Sequence, residues 1–446
     1  MERGNLKSEI KKLVEKFINH LDKEKKEIFL VSHFDTDGIT SAAIMIQALK
    51  KMDKTFSVNI IKSLNKEFIE NLPENKTILF LDLASGSLNY LKDTGIENIF
   101  IIDHHEPSQE IPENVQMVNP MLCEDKQKIS TSGLVYLFCK EINEENKEFA
   151  KLAILGMIGD QLEKEIDILN NGVLGDGEIR KKRGLLIYPS TRPLNRTLEY
   201  SSNPYIPGVT GNSEGVRELL REAGIPIVGG KYKSLIELTE QEMQNLVTAI
   251  ILRNPQTKNR ELIGDIFLIK FYNKLEDARE LSAMINACSR SGESSIAIRF
   301  CMEISEAKKQ AETVHVKHRQ NLISGLEFVK TLDKIEGKGY VIINAKEEIK
   351  DTIIGTIASI LSNSPSYEEG TMIIAMAYYE DKIKISARNS GREGRNLKEV
   401  LEKIIGEIGG EVGGHEFAAG CLINQSQEKE FIDLVKKNCE VEMVKI

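Results

Sequence analysis

The chain has 446 residues, 41% hydrophobic and 28% charged, with a formal net charge of −9 at pH 7. That length exceeds one ordinary core and suggests roughly two or three domains, and no uncharged run approaches the ~18 residues of a membrane span. Six scattered cysteines (Cys123, Cys139, Cys288, Cys301, Cys421, Cys439) with no close pair argue against a zinc knuckle or a disulfide framework and fit a reducing cytoplasm, while the acidic balance means that any grip on nucleic acid must come from locally gathered cations.

Leu6, Ile10, Leu13, Val14, Phe17, Ile18 and Leu21 form one helical stripe. The apolar run Ile28–Val31 then reads as a buried strand, and Ile39, Ala42, Ala43, Ile46 and Leu49 as a helix after it. Between them lies Ser32-His33-Phe34-Asp35-Thr36-Asp37-Gly38, with three ligand-type side chains spaced two apart. If extended, the segment points all three the same way. The simpler reading makes Asp37 a helix cap and His33 a core residue. Two further apolar runs change the balance: Thr77–Leu81 runs into Asp82, and Asn98–Ile102 runs into Asp103-His104-His105. Capping accounts for one such acid, not for three and a His pair. Parallel strands would gather these ends at one sheet edge, where open α/β sheets place their chemistry. Pro107 ends the third run with a turn, Ser130-Thr131-Ser132-Gly133 offers hydroxyl caps for a helix, and Asp160 follows the apolar run Leu152–Ile158.

From Asn170 to about Tyr232, glycines and prolines interrupt the pattern and aromatics such as Tyr188, Tyr200 and Tyr205 alternate with basic residues. Ile179–Leu198 carries Arg180, Lys181, Lys182, Arg183, Arg192 and Arg196 without an acid, which fits a solvated loop or a phosphate-binding segment equally. Leu235–Leu252 and Asp277–Ser289 read as helices, the second ending at Arg290. Glu303–Lys330 is a long connecting helix whose His315 and His318 are expected on a solvated face. Beyond it, strands at 339–344, 372–377 and 382–387 and a helix at 351–361 make a second, smaller α/β unit. It contains Arg388 and the run Gly409-Gly410-Glu411-Val412-Gly413-Gly414-His415, whose successive glycines let backbone N–H groups turn toward an anion.

Four aspartates (Asp35, Asp37, Asp82, Asp160) brought together with histidines repel one another strongly unless cations neutralise them. Two divalent ions, most simply sharing Asp82, relieve this, and mixed carboxylate–imidazole ligation favours Mn2+, with Mg2+ second. Two such ions ~4 Å apart activate water and stabilise displacement at phosphorus, so phosphoester hydrolysis is the expected reaction.

At these residues the sequence resembles the DHH phosphoesterase family: Ser32–Gly38, Asp82, Asp103-His104-His105 and Asp160 match its four motifs. Arg388 and Gly413-Gly414-His415 look like its DHH-associated C-terminal domain. Asn286-Ala287-Cys288-Ser289-Arg290 is similar to the Asn-Ala-x-x-Arg stretch of RecJ-type single-strand exonucleases, and the size and central insertion look closest to the archaeal, GINS-associated type. The resemblance implies a parallel-sheet α/β DHH domain (1–170), an insertion or substrate region completing the first lobe (171–302), a connecting helix (303–334) and a C-terminal α/β substrate-binding domain (335–446). It implies His33, Asp35 and Asp82 on one ion and Asp37, Asp82, His104 and Asp160 on the other. His105 would stand beside the scissile phosphate, oriented with His104 by Asp103, and Arg290, Arg388, Gly413, Gly414 and His415 would hold substrate phosphates. Single-stranded DNA or RNA is the implied substrate, GINS a candidate partner, and no membrane is involved. Asn389-Ser390 departs from the RecJ pattern, which has Ser directly after the arginine. Two rival readings remain: a DHH-family oligoribonuclease or cyclic-dinucleotide phosphodiesterase, and a replication scaffold.

Overall fold

The computed structural model describes residues 4–92, 94–97, 99–164, 166–201, 204, 206–253, 262–364, 366–391, 393–410 and 412–441. Tyr205 and Glu411, singled out above, lie outside them. The chain divides into two compact units, one of residues 1–184 and 264–315, the other of 185–263 and 316–446. The stretch 171–302 is thus divided between the two. Phe267, Ile269, Phe271, Ala278 and Leu281 join the core of the first.

In the first unit, strands β1 (Ile28–His33), β2 (Phe56–Ile61), β3 (Thr77–Leu81), β4 (Ile99–Ile102) and β5 (Val115–Val118) form a parallel sheet in the order β2-β1-β3-β4-β5. Its apolar runs are continuous because both faces are covered. Leu30, Leu79, Leu81, Phe100 and Ile102 pack with the helices Leu6–Glu24, Thr36–Lys51, Thr131–Ile142 and Ala150–Gly159. Val31, Ile78, Phe80, Ile99 and Ile101 point the other way, to Ile69, Leu88 and Leu91. From β1 the chain goes first to β2 on one side and then to β3 on the other. That reversal opens a crevice at the carboxyl ends of β1 and β3.

The basic run after Ile179 is a loop only in its middle part, around Arg192. Arg180–Leu185 forms β6, which lines up with the hairpin β7 (Ile263–Phe271) and β8 (Lys274–Asp277) in a three-stranded sheet. Backbone pairing outweighs the repulsion of side chains that a strand can project into water. The run before Asp160 is a helix, Ala150–Gly159, in which Leu152–Ile158 are all buried, so it shows no stripe. His315 is buried rather than solvated, within the long helix Ser305–Thr331.

The second unit contains a six-stranded sheet of β9 (Ile335–Gly337), β10 (Tyr340–Asn344), β11 (Met372–Tyr379), β12 (Lys382–Asn389), β13 (Val412–His415) and β14 (Ala418–Asn424). Its order is β13-β14-β12-β11-β10-β9, with β10 and β11 parallel and the other neighbours antiparallel. Ile374, Met376, Ile385 and Ala387 face the helices Leu397–Ile408 and Glu428–Val441. Ile373, Ala375 and Ala377 face the helix Asp351–Ser362. No helix among the described residues is long and apolar enough to cross a membrane.

Candidate metal centre

The motif that joins β1 to the next helix builds its own support. Ser32 Oγ donates to Gly38 O at 2.7 Å, closing the turn. Asp35 caps the Thr36–Lys51 helix, its Oδ1 accepting from Gly38 N at 3.0 Å. A Cβ on Gly38 would collide with the His33 carbonyl, so only glycine fits. His33 Nδ1 lies 3.0 Å from Asp35 Oδ2 and 3.3 Å from Asp82 Oδ2.

Asp37 does not cap its own helix. It is fully buried and accepts from Thr131 N (2.7 Å) and Ser132 N (3.0 Å), the first amides of the Thr131–Ile142 helix. Those amides have no intrahelical partner, so an anion there satisfies them and meets the positive end of the helix dipole. The serine–threonine cluster is therefore more than a cap: Ser130 caps the helix, while Thr131 Oγ1 donates to Asp82 Oδ1 at 3.0 Å. Gly156 lies beside this contact, and a Cβ there would strike Asp37 Oδ1, Ser132 Oγ and Thr40 Oγ1.

Asp82 follows β3 at φ +59°, a left-handed conformation that aspartate tolerates better than most residues. Asp103, after β4, is buried and works as an anchor. Its Oδ1 accepts from His104 N (2.8 Å), His105 N (3.2 Å) and His105 Nδ1 (2.7 Å), and its Oδ2 from Ser85 N (3.1 Å). Asn119 completes the frame, donating to the His105 carbonyl at 2.7 Å and to Ser85 Oγ at 3.2 Å. Sequence reasoning missed Asn119; it ends no acidic motif, and its position directly after β5 was the available signal. His104 Nε2 reaches 3.7 Å from Asp82 Oδ1 and 3.6 Å from Asp160 Oδ2.

The electrostatics are those of an unneutralised cluster. Burial and the charges of Asp35, Asp37 and Asp103 push Asp82 well above the usual carboxylate range. Burial and the charges of Asp37, Asp82 and Asp35 push Asp160 up to about 11. Burial also opposes ionisation of Asp35 and Asp103, but His33 and His105 respectively outweigh it and hold both below the usual range. Asp103 raises His105, and Asp35 holds His33 above its ordinary value against burial. Asp82 Oδ2 and Asp160 Oδ2 are buried without a hydrogen-bond donor. Ligand atoms fall within 4.8 Å of one another in three overlapping sets: His33, Asp35 and Asp82; Asp37, His104 and Asp160; and Asp82, His104 and His105. Buried acceptors lacking donors, on carboxylates mixed with imidazoles, are a donor set suited to divalent cations.

Arg290 belongs to the same neighbourhood. Its helix, Ala278–Arg290, is fastened to the motif by Ser289 Oγ donating to Phe34 O and Thr36 Oγ1 donating to Ser282 O. The guanidinium lies 5.9 Å from the Phe34 ring centre and is anchored by Asn286 Oδ1 at 3.0 Å. Burial lowers its pKa, against the Asp35 carboxylate.

In the second unit, Arg388 on β12 pairs with Ala418 of β14, which in turn pairs with His415 of β13. Directly paired residues share a face, so Arg388 and His415 flank Ala418 on one side of the sheet. Arg388 Nε donates to Ser359 Oγ at 2.9 Å, and His415 is exposed. Gly413 and Gly414 lie in an exposed edge strand rather than a nest, and Gly414, at φ +116°, would drive a Cβ into Ala418 O. Tyr200 carries the Arg319 guanidinium over its ring at 4.8 Å, and Tyr188 is half-buried.

Family models match three stretches: the DHH family N-terminal domain at residues 27–157, the DHH-CID domain at 187–260 and the DHHA1 domain at 337–440. The chain is 28% identical over 442 residues to an uncharacterized protein of Methanocaldococcus jannaschii, covering 95% of each. It is 29% identical over 165 residues to a putative prophage-derived single-strand DNA-specific exonuclease of Bacillus subtilis, covering 34% of this chain and 28% of that one. Among solved structures, exonuclease RecJ bound to manganese aligns with a TM-score of 0.61 at 17% identity, over 98% of this chain and 95% of that one. CDC45 from Entamoeba histolytica aligns with a TM-score of 0.70 at 13% identity, over 96% and 98%. At such identities the likeness to the two structures is one of fold.

Proposed function

Because the chain belongs to the DHH family, as a RecJ-like member, we propose that it is a metal-dependent phosphodiesterase that removes nucleotides from single-stranded DNA or RNA. The observation that carries this reading is the pair of orphaned buried carboxylate oxygens, on Asp82 and Asp160, within a cluster of mixed carboxylates and imidazoles. His33, Asp35 and Asp82 would hold one divalent ion, and Asp37, Asp82, His104 and Asp160 a second, manganese ahead of magnesium. Bound there, the ions would supply charge neutralisation at phosphorus and an activated water.

The chain's own residues do the rest. The helix amides fix Asp37, and Thr131 fixes Asp82, so the ligands are oriented before substrate arrives. Asp103 accepts a hydrogen bond from His105 Nδ1 and favours the protonated ring, whose Nε2–H would donate to a phosphate oxygen. Arg290, positioned by Asn286 and Phe34, offers a fixed cation beside Asp35, and Arg388 with His415 offers a second contact to the strand.

End-labelled single strands of DNA and RNA, digested with manganese and labelled at either end, test the proposal. Stepwise shortening of single strands with duplex resisted is the expected outcome. A dinucleotide enzyme would stall on a ~20-mer, and a scaffold of the kind suggested by the CDC45-like fold would leave every substrate intact. The complete set of motif ligands favours the enzyme over that scaffold.

A further inference from the structure

A cleft of about 310 Å³ is lined by His104, by the apolar Pro120, Met121, Ile129 and Leu162, and by Lys126, Gln127 and Lys128. Its volume is at the small end of ligand pockets, which run roughly 300–1,000 Å³. A second, more open cleft of about 580 Å³ shares Lys126, Gln127 and Lys128 and extends to Lys164. Two acids, Asp125 and Asp167, also line this second cleft. Both are already engaged: Asp125 Oδ1 accepts from Leu6 N at 3.2 Å, and Asp167 Oδ1 caps the Ile168–Asp176 helix at Asn170 N at 2.8 Å. The loop carrying the lysines is held in place, since Asn170 Nδ2 donates to the Lys128 carbonyl at 2.7 Å. Lys126 and Lys128 are exposed, and among the described residues Lys126 has no ion-pair partner. Apolar side chains, half-exposed at Met121, and a set of cations thus line one cleft together with a candidate metal ligand.

We propose that these two clefts are a track for the polynucleotide strand, taking one base against Pro120, Met121 and Leu162 and its flanking phosphates on Lys126, Lys128 and Lys164. The inference rests on the nuclease reading above and adds to it where the strand runs. It also accounts for how a chain of net charge −9 could grip a polyanion, since the grip needs a local row of cations rather than a basic surface. An apolar wall without donors selects no base, so the track would hold strands of any sequence.

The test is binding of a fluorescent 12-mer deoxyoligonucleotide to the full chain, with metal omitted so that the strand stays intact, over a series of salt concentrations. Each phosphate contact contributes roughly 0.7 to the slope of log affinity against log salt for single strands. Lys126→Ala/Lys128→Ala is therefore expected to lower affinity and reduce the slope by about 1.4, equally for oligo-dT and oligo-dA. Lys126→Arg/Lys128→Arg should restore both. Lys7→Ala/Lys11→Ala, on the exposed face of the first helix, serves as the charge control and should leave binding unmoved. A double alanine variant that binds with the wild-type slope overturns the track while leaving the nuclease reading intact. Equal weakening by the control pair overturns it as well, by showing general attraction. Failure of the wild-type chain to bind or digest any single strand sinks both readings.

Discussion

Two carboxylate clusters in the same unit show opposite solutions to burying negative charge. Asp176 is surrounded by partners: Tyr136 Oη and Lys140 Nζ donate to its Oδ2 at 2.7 Å each, and Lys147 Nζ lies 3.3 Å from Oδ1. Burial would raise its pKa, but Lys140, Tyr136 and Lys147 outweigh that and hold it below the usual carboxylate range. At the sheet edge, Asp82 and Asp160 are raised by burial and by other carboxylates, and each keeps an oxygen with no donor. The Asp176 cluster is closed and neutralised by the chain itself. The Asp82 cluster is kept together by backbone amides, a threonine and a tight glycine contact, at a cost that its histidines and amides offset for Asp35, Asp37 and Asp103 but not for Asp82 and Asp160. A fold tolerates such a cost where function requires the charge, and external cations are the natural counterpart.

The sharpest way to break this contrast is Asp82→Asn. Asparagine keeps the shape and tolerates φ +59°, which alanine would not do as well, so the change removes charge with little backbone strain. Manganese-dependent hydrolysis of single strands should fall at least about a thousandfold, or about 4 kcal/mol of barrier. The metal-free chain should melt no lower than wild type, since repulsion is relieved. Hydrolysis within tenfold of wild type would remove Asp82 from the centre. Gly156→Ala attacks the support instead. A methyl group against Asp37 and Thr40, in a packed site, should cost about 1–3 kcal/mol of stability, and displacing Asp37 should lower turnover by about a hundredfold. Calorimetric melts and single-turnover assays on the same preparation would separate these two effects.

Arg388→Ala probes the contrast from the side of the substrate. Losing one charge-assisted contact is worth about 1.5–3 kcal/mol, or roughly tenfold to a hundredfold in strand affinity by fluorescence anisotropy, while manganese content stays at the wild-type level. The smallest effect belongs to the closed cluster. With a folded-state pKa below the unfolded ~3.9, Asp176 binds fewer protons folded than unfolded, so its contribution is present above about pH 4 and lost as pH falls through the folded value. Asp176→Asn should therefore lower the melting temperature by a few degrees at pH 7, with the difference shrinking as pH falls below about 4. A difference that stays constant as the pH is lowered would mean that packing, not charge, explains it.

The candidate site was largely legible because its candidate ligands end apolar runs. Leu81 to Asp82 and Ile102 to Asp103 are abrupt changes in polarity, and a parallel sheet converts each into a position at one edge. Asp160 was found for a different reason than its structure gives, since it follows a helix, Ala150–Gly159, whose all-round burial leaves no period to read. The supporting residues were hidden. Asn119, Thr131 and Gly156 act through hydrogen bonds and close approach across long sequence separations, and neither periodicity nor spacing encodes those contacts. The loop alternative fails for Arg180–Arg183 because composition alone does not separate a charged edge strand from a loop. The α/β order of the second unit was recovered from alternation in 340–389, whereas the exposed strand Val412–His415 was masked by its glycines.

The central claim is that the Asp82 cluster holds two divalent ions that share one carboxylate. Equilibrium dialysis of the metal-free chain against manganese, with bound metal counted per chain, tests it most directly. The account predicts two ions on the wild-type chain and the loss of both with Asp82→Asn, because one shared ligand serves each. A single ion on the wild-type chain, or two retained by Asp82→Asn, would contradict it.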